Sequence, residues 1–335
     1  MACGKGVEFV KALIPAAGIG TRLRPHTLNK PKALLPVAGK PILAHIMDDL
    51  TDAGIDGFVL IIGYHGQEVR DWVARQRPDL DITFVEQTER LGLGHAVWTA
   101  REALGEEPFF CVLGDTILKA DYAALLGAAG NVIAVREVED PRRFGVVELD
   151  GDRVVRFVEK PEVPPSNLAI VGAYLFRGSA ALWRGLDHVV TGGHRTRDEF
   201  QLTDALQHMV EHEAAFTVAP VEDWFDCGKP ETWLATNRIL LDRAEADGTG
   251  TRGPEIVPPC YIAEDAFVRG SQIGPHVSIG SGCVVENCRL SDCVVGERSQ
   301  LTECGLANSL VGNECVLNHV AGVINIGDFG TARGS

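Results

Sequence analysis

Apolar and polar positions follow two regimes along the chain. From residue 7 to about 245, short apolar runs alternate with stretches of helical spacing. Residues 7–14, 58–62, 82–85, 109–113 and 132–135 read as strands, and 42–53, 69–75, 96–104 and 122–126 as helices between them. Apolar strands alternating with amphipathic helices predict βαβ units and a parallel sheet covered on both faces. Between Gly145 and Phe176 three strand-like segments follow one another, 146–149, 154–158 and 168–176. That break predicts an inserted β-rich substrate lobe. Residues 202–213 and 231–246 return to helix.

Residues 247–259, DGTGTRGPEIVPP, read as a linker because Gly, Pro and Thr dominate. Beyond it the period changes. Aliphatics stand at Ile262, Val268, Ile273, Ile279, Val285, Leu290, Val295, Leu301, Leu306, Val311 and Leu317, five or six residues apart. Neither the 3.6 of a helix nor the 2 of a strand fits that spacing. The segment resembles the hexapeptide-repeat family, which implies a left-handed parallel β-helix with each aliphatic inside a triangular prism. Cys260, Cys283, Cys288, Cys293, Cys304 and Cys315 each precede a repeat aliphatic by two residues. Elsewhere that slot holds Ala266, Ser271, Val277, Ser299 and Ser309. A small side chain is required there, and Cys serves as a small hydrophobe. The domain reading is 1–246 catalytic, 247–259 linker and 260–327 β-helix.

Composition narrows the function. Hydrophobic residues are 45% and charged residues 23% of 335, enough apolar material for two cores. No apolar run approaches the ~18–20 residues that cross a bilayer. The first residues lack a signal-peptide pattern, so a cytoplasmic protein without a membrane partner is expected. With 31 Lys and Arg against 46 Asp and Glu, the net charge of −15 disfavours nucleic acid as a partner. An anionic ligand then needs a local cationic pocket or a metal. Nine cysteines without a Cys-x-x-Cys pair suit neither a disulfide scaffold nor a structural zinc site.

A local cationic pocket is encoded directly after the first strand, in PAAGIGTRLRPHTLNKPKALLPVAGKPIL. Gly18 and Gly20 allow backbone N–H groups to approach an anion. Thr21, Arg22 and Arg24 follow, then Lys30, Lys32 and Lys40. Open α/β sheets bind ligands at this end of the first strand. A P-loop is absent, and a dinucleotide loop needs glycine where Leu23 stands. No Gly-x-Ser-x-Gly nucleophile motif occurs either.

The stretch from Gly18 to Ile42, GIGTRLRP…PKALLPVAGKPI, resembles the opening motif of the sugar-1-phosphate nucleotidyltransferases. Further blocks agree in order: Gln87 with LGLGHA from Leu91 to Ala96, Leu113-Gly-Asp115, Phe144-Gly-Val, Glu159-Lys160-Pro161, Val171-Gly172 and Trp224-Phe-Asp226-x-Gly228. Together with the repeat, the whole chain is similar to long-form glucose-1-phosphate thymidylyl- or uridylyltransferases. The resemblance implies an α/β, Rossmann-like nucleotidyltransferase domain with a mixed, mainly parallel sheet. It implies nucleotidyl transfer from dTTP or UTP to a sugar 1-phosphate, giving a nucleotide sugar and pyrophosphate. By the same resemblance Arg22 and Lys32 are catalytic, stabilising the transferring and leaving phosphates. Ala17, Gly18, Gly20, Thr21, Gln87 and Gly92 bind the nucleotide. Gly145, Glu159, Lys160, Val171 and Gly172 bind the sugar phosphate. Asp115 and Asp226 are the expected Mg²⁺ ligands. A Gln amide at position 87 offers a donor and an acceptor to a base edge.

Three rival readings remain in view: a bifunctional N-acetylglucosamine-1-phosphate uridylyltransferase/acyltransferase, a mannose-1-phosphate guanylyltransferase and a non-catalytic regulatory subunit. The acyltransferase would have only His276 and His319 as general bases in the repeat. His208-x-x-Glu211-His212 matches an inverted zinc-protease pattern. Helical spacing is read as putting both histidines on a solvated flank and Glu211 opposite. The open ends and flat faces expected of a short β-helix favour assembly, so a homo-oligomer is expected.

Overall fold

A computed structural model describes residues 10–212, 214–253 and 255–334. Chain contacts divide the protein into two compact units, residues 1–18 with 46–224, and residues 19–45 with 225–335. In chain order the principal elements are β1 (Lys11–Pro15), α1 (Ile42–Asp52), β2 (Gly57–Ile62), α2 (Gly66–Gln76), β3 (Asp81–Glu86), α3 (Leu93–Thr99) and β4 (Phe109–Val112). Then come β5 (Asn131–Glu137), β6 (Gly145–Asp150), β7 (Arg153–Glu159), β8 (Leu168–Phe176), α4 (Ser179–Thr191), α5 (Leu202–Glu211), β9 (Phe216–Pro220) and α6 (Pro230–Ala246). Of the strand expected at 7–14, positions 7–9 lie outside the described residues, and within these the strand runs Lys11–Pro15. Glu213, the expected end of the 202–213 helix, also lies outside them.

The first unit is built on one nine-stranded sheet in the order β3-β2-β1-β4-β8-β5-β9-β7-β6. Strands β3, β2, β1 and β4 are parallel neighbours. All six residues of β2 are buried, as a strand covered on both faces requires. The other half is mixed: β8 runs antiparallel to β4 and β5, β9 is parallel to β5, and β7 is antiparallel to β9 and β6. The strands expected to form an inserted lobe are therefore members of this same sheet. The reason is visible in β8, where eight of nine residues are buried. A strand that apolar on both faces cannot stand in a solvated lobe, and it lies between β4 and β5.

Helices α3, α4 and α5 cover one face around Leu13, Ile61, Phe109, Ile133, Trp183, Leu206 and Phe216. Helix α5 has the expected stripe: Leu202, Ala205, Leu206 and Met209 are buried. Helix α4, which hydrophobic spacing did not single out, buries Leu182, Trp183, Leu186 and Val189. Trp183 anchors it by donating Nε1–H to the Gly105 carbonyl at 2.8 Å.

In the second unit the C-terminal segment stacks short parallel strands in two ladders. Phe267 pairs in register with Val284, Val284 with Gln300, Gln300 with Val316 and Val316 with Thr331, so each coil takes 15–17 residues. Of the eleven repeat aliphatics, those from Ile273 to Leu317 are no more than 2% exposed, and Ile262 and Val268 pack against them half-buried. The slot two residues earlier does more than accommodate a small side chain. Cys288 N–H donates to Ser271 Oγ at 3.0 Å, Cys304 N–H to Cys288 Sγ at 3.3 Å and Cys315 N–H to Ser299 Oγ at 3.0 Å. These three accepting side chains each donate in turn to a carbonyl, as Ser299 Oγ does to Gly312 at 2.8 Å. A short hydroxyl or thiol thus links one coil to the next.

Ser299→Ala removes both bonds at a fully buried site and leaves the Cys315 N–H without its acceptor. We expect a loss of about 1–3 kcal/mol in urea unfolding. Ser299→Cys keeps a donor and an acceptor and should lose clearly less.

Candidate functional site

The order of the parallel strands reverses at β1, with β2 on one side and β4 on the other. Ligands of open α/β sheets bind outside the strand ends at such a reversal. Two chain segments meet there. The Gly114 N–H donates to the Pro15 carbonyl at 3.1 Å, and a Cβ at Gly114 would stand 2.8 Å from that oxygen. Only a glycine permits this approach, which sets Asp115 beside the segment leading to Ala17 and Gly18. The Asp115 carboxylate is half-buried and accepts from Thr116 Oγ1 at 3.3 Å. The Leu113 N–H donates to Gly172 at 2.9 Å, which ties Val171–Gly172 to the same strand end.

Gln87 leaves the end of β3 with its N–H on Ile62 at 2.8 Å. Its side chain is 9% exposed, and its Nε2 donates to the Gly92 carbonyl at 3.2 Å and to His95 Nδ1 at 3.3 Å. The amide hydrogens are taken internally, so the side chain offers a ligand its acceptor oxygen, not the donor-acceptor pair expected from composition. Burial holds the His95 pKa below its ordinary value, and a neutral ring can accept at Nδ1. Gly92 has φ 109° and lies against Phe200, whose carbonyl would be 2.6 Å from any Cβ there. Phe200 donates its N–H to Leu91 at 2.7 Å and accepts from Gly94 at 2.8 Å. The loop that begins α3 is thus knitted to the segment before α5.

The residues expected at the sugar phosphate also converge. Lys160 Nζ lies 2.9 Å from Glu159 Oε1, and Thr203 Oγ1 donates to Glu159 Oε2 at 2.7 Å. The Glu159 side chain is 9% exposed and that of Lys160 40%. A Cβ on Gly145 would stand 3.2 Å from Glu159 Oε2, so this glycine opens the space in front of the carboxylate. Arg197 donates to the Lys160 carbonyl at 2.8 Å. Sequence reasoning missed Thr203 and Arg197. The one available signal was the polar run Gln201, Thr203, Asp204 at the start of an otherwise apolar helix face. Sequence reasoning named Trp224 within a motif but gave its indole no role. Trp224 meets Phe144 edge-on at 4.6 Å, and its buried Nε1–H has no partner among the described residues. A buried donor left open beside this cluster suits a ligand oxygen.

The second unit carries the remaining site residues. Gly20, at φ 67°, leads into the tight turn Thr21–Leu23, and Leu23 N–H closes the turn on the Gly20 carbonyl at 2.8 Å. Thr21 and Arg22 are exposed on this turn, and Lys32 opens the next one, Lys32–Leu34, with only 8% exposure. The Gly20 backbone lies over Lys32: a Cβ there would be 3.2 Å from Lys32 Cβ. Arg22 and Asp226 converge at Gly228, where a Cβ would stand 2.7 Å from Asp226 Oδ1 and 3.1 Å from Arg22 Nη2.

No cluster of three or more His, Cys, Asp or Glu side chains with metal-binding geometry occurs among the described residues. Asp115 and Asp226 each supply a half-buried hard oxygen donor. Such sparse carboxylates fit Mg²⁺, which completes its shell with phosphate oxygens and water. The His208-x-x-Glu211-His212 motif ends α5, with His212 as its C-cap. His208 stacks on His188 at 4.5 Å and on His212 at 4.0 Å. Glu211 does not point to the opposite side. It lines the same cavity of about 350 Å³ as His208, because a three-residue step of about 300° nearly completes a turn.

A family model described as Nucleotidyl transferase matches residues 11–243. A low-salt glycan biosynthesis nucleotidyltransferase of Haloferax volcanii is 34% identical over 334 residues, covering 90% of this chain and 92% of that protein. A glucose-1-phosphate thymidylyltransferase of Streptomyces antibioticus is 32% identical over 329 residues, covering 88% and 89%. A crystal structure of UDP-glucose pyrophosphorylase complexed with UDP-glucose superposes with a TM-score of 0.62 at 25% identity, covering 70% of this chain and 99% of that one.

Gly92→Ala should weaken nucleoside triphosphate binding at least about tenfold, ~1.4 kcal/mol, in titration calorimetry. Gly127→Ala, where a Cβ meets nothing within 4 Å, should leave the affinity unchanged.

Proposed function

Because the chain belongs to the nucleotidyl transferase family, we propose that it transfers a nucleotidyl group from dTTP or UTP to glucose 1-phosphate. The observation that carries the sugar-phosphate half is the pairing at the end of β7. A largely buried carboxylate, Glu159, stands beside a more exposed ammonium, Lys160. Sugar hydroxyls donate to the first, and a phosphate is held by the second. The relatives' names divide between thymidylyl and UDP-sugar chemistry. Uracil and thymine differ by one methyl, worth only ~1–3 kcal/mol in a pocket. The acceptor oxygen of Gln87 suits the N3–H that both bases present.

In the proposed reaction a phosphate oxygen of the sugar phosphate attacks the α-phosphorus in line. A P–O bond forms as the bond to the β-phosphate oxygen breaks, and pyrophosphate leaves. No protein nucleophile takes part, so the residues act by position and charge. Backbone groups of Ala17, Gly18, Gly20 and Thr21 hold the triphosphate. Arg22 and Lys32 neutralise charge on the leaving pyrophosphate. Glu159, Lys160 and the Val171–Gly172 backbone orient the acceptor. Mg²⁺, held by Asp115 and Asp226, would supply charge neutralisation on the phosphates. Catalysis then lies within residues 1–246. The stacked coils are read as a left-handed β-helix that assembles the enzyme into a homo-oligomer. No helix among the described residues is long and apolar enough to cross a membrane.

A screen of five nucleoside triphosphates against glucose, mannose, galactose and N-acetylglucosamine 1-phosphates should release pyrophosphate fastest with dTTP or UTP and glucose 1-phosphate. Release with none of the pairs would remove the proposal. Arg22→Ala and Lys32→Ala should each lower kcat about 10²–10³-fold, more than they raise the sugar-phosphate KM. Asp115→Asn and Asp226→Asn should lose most turnover at saturating Mg²⁺, and chelation should stop the wild type.

A further inference from the structure

The turn that carries Arg22 is fastened to the coils within the second unit. Thr27, fully buried, donates Oγ1–H to the Gly20 carbonyl at 2.8 Å, which fixes the start of the turn. Next to it His26, 2% exposed, places Nε2 2.7 Å from Asn325 Oδ1. That oxygen only accepts, so Nε2 carries the hydrogen. Asn325 belongs to the strand Asn325–Ile326, which pairs in parallel with Leu310 and Val311 of the preceding coil. A second contact lies two residues on. Gly327 packs so closely under Pro25 that a Cβ would stand 2.8 Å from Pro25 Cβ. On its other side the His26 ring meets Trp233 edge-on at 5.1 Å, and Trp233 donates its indole hydrogen to the Pro36 carbonyl at 2.7 Å.

A buried histidine bonded to a neutral amide, four residues from an exposed arginine, has no evident task in assembly. Burial lowers the His26 pKa, opposed by the Asn325 bond and by Asp328. The ring needs no charge to make the contact. What the contact does is remove freedom from the segment between Gly20 and Lys32, whose two ends touch.

We propose that the coil bearing Asn325 is part of the transfer machinery, and that His26 and Asn325 are positioning residues holding Arg22 and Lys32 in the geometry nucleotidyl transfer needs. The kinetic half of this inference rests on the function proposed above. The structural half does not. A cation held in place before the triphosphate arrives stabilises the transition state without reorganisation, whereas a loose one acts only after ordering. The effect therefore falls on kcat.

The test uses the full-length protein with His26→Leu, Asn325→Leu, their double variant, His26→Gln and Ser271→Ala. A Gln at 26 can present an N–H near the position of the imidazole Nε2. Hydrogen–deuterium exchange of residues 20–34 without substrate reads the clamp, and pyrophosphate release reads the chemistry. Both Leu variants should exchange faster in this segment and lose about tenfold or more in kcat, with the sugar-phosphate KM within about twofold. The double variant should be no worse than either single one, and His26→Gln should recover most of the rate. Ser271→Ala removes the acceptor of the Cys288 N–H, two coils further from this contact, and should keep wild-type kcat. Unchanged exchange in both Leu variants overturns the clamp, whatever the enzyme's substrates prove to be. Faster exchange with unchanged kcat overturns the positioning role, as does an equal kcat loss in Ser271→Ala. If the wild type releases no pyrophosphate with any pair, the proposed function fails, and exchange alone decides the clamp.

Discussion

Two backbone segments touch where the parallel strands reverse their order, and the rest of the first unit's site is arranged around that contact. The Gly114 N–H on the Pro15 carbonyl leaves no room for a side chain between them. Each segment leaves a strand buried in the middle of the sheet, so neither can retreat without breaking its ladder. The same strand end is tied to Gly172 through Leu113. Strand β8 also touches β6, Ala169 opposite Val146, although β6 lies at the edge of the sheet order. The sheet therefore folds back on itself. That return brings Gly145 and Glu159, far from β1 along the strand order, to the strand that carries Val171 and Gly172.

Charge is organised differently in the second unit. Arg22 and Lys32 are not delivered by strand ends. They sit on two tight turns whose backbone is closed locally; Gly20 leaves room for Lys32, and Gly228 leaves room for Arg22 and Asp226. A protein with net charge −15 has little favourable long-range field for a triphosphate. Short-range cations on a pre-shaped turn are the physical answer to that imbalance.

Much of this was legible from residue patterns. The parallel half of the sheet followed from alternating apolar strands and helices. The coil period of the repeat was legible because its aliphatics recur where neither helix nor plain strand would put them. Gly20, Arg22 and Lys32 were visible as a cationic loop after a strand. The β-rich lobe was misread because consecutive strands look alike whether they form a separate layer or fill one sheet. Burial on both faces of β8 decides between these, and that depends on partners distant in sequence. The roles of Thr203 and of the Trp224 indole were not foreseen for a related reason. Their roles come from what lies opposite, Glu159 in one case and an unfilled hydrogen bond in the other. The donor of Gln87 was lost to its own neighbours, which no single-residue inventory can reveal.

The coil-linking cysteines have a chemical consequence. Each is buried, and desolvation pushes the thiols of Cys283 and Cys293 up to about 11. At neutral pH such a sulfur is almost wholly protonated and shielded from electrophiles. It becomes a nucleophile only when its coil parts from the next. The rate at which an alkylating reagent consumes Cys283 and Cys293 is therefore a clock for the opening of their coils, and at low reagent concentration it reports the opening equilibrium.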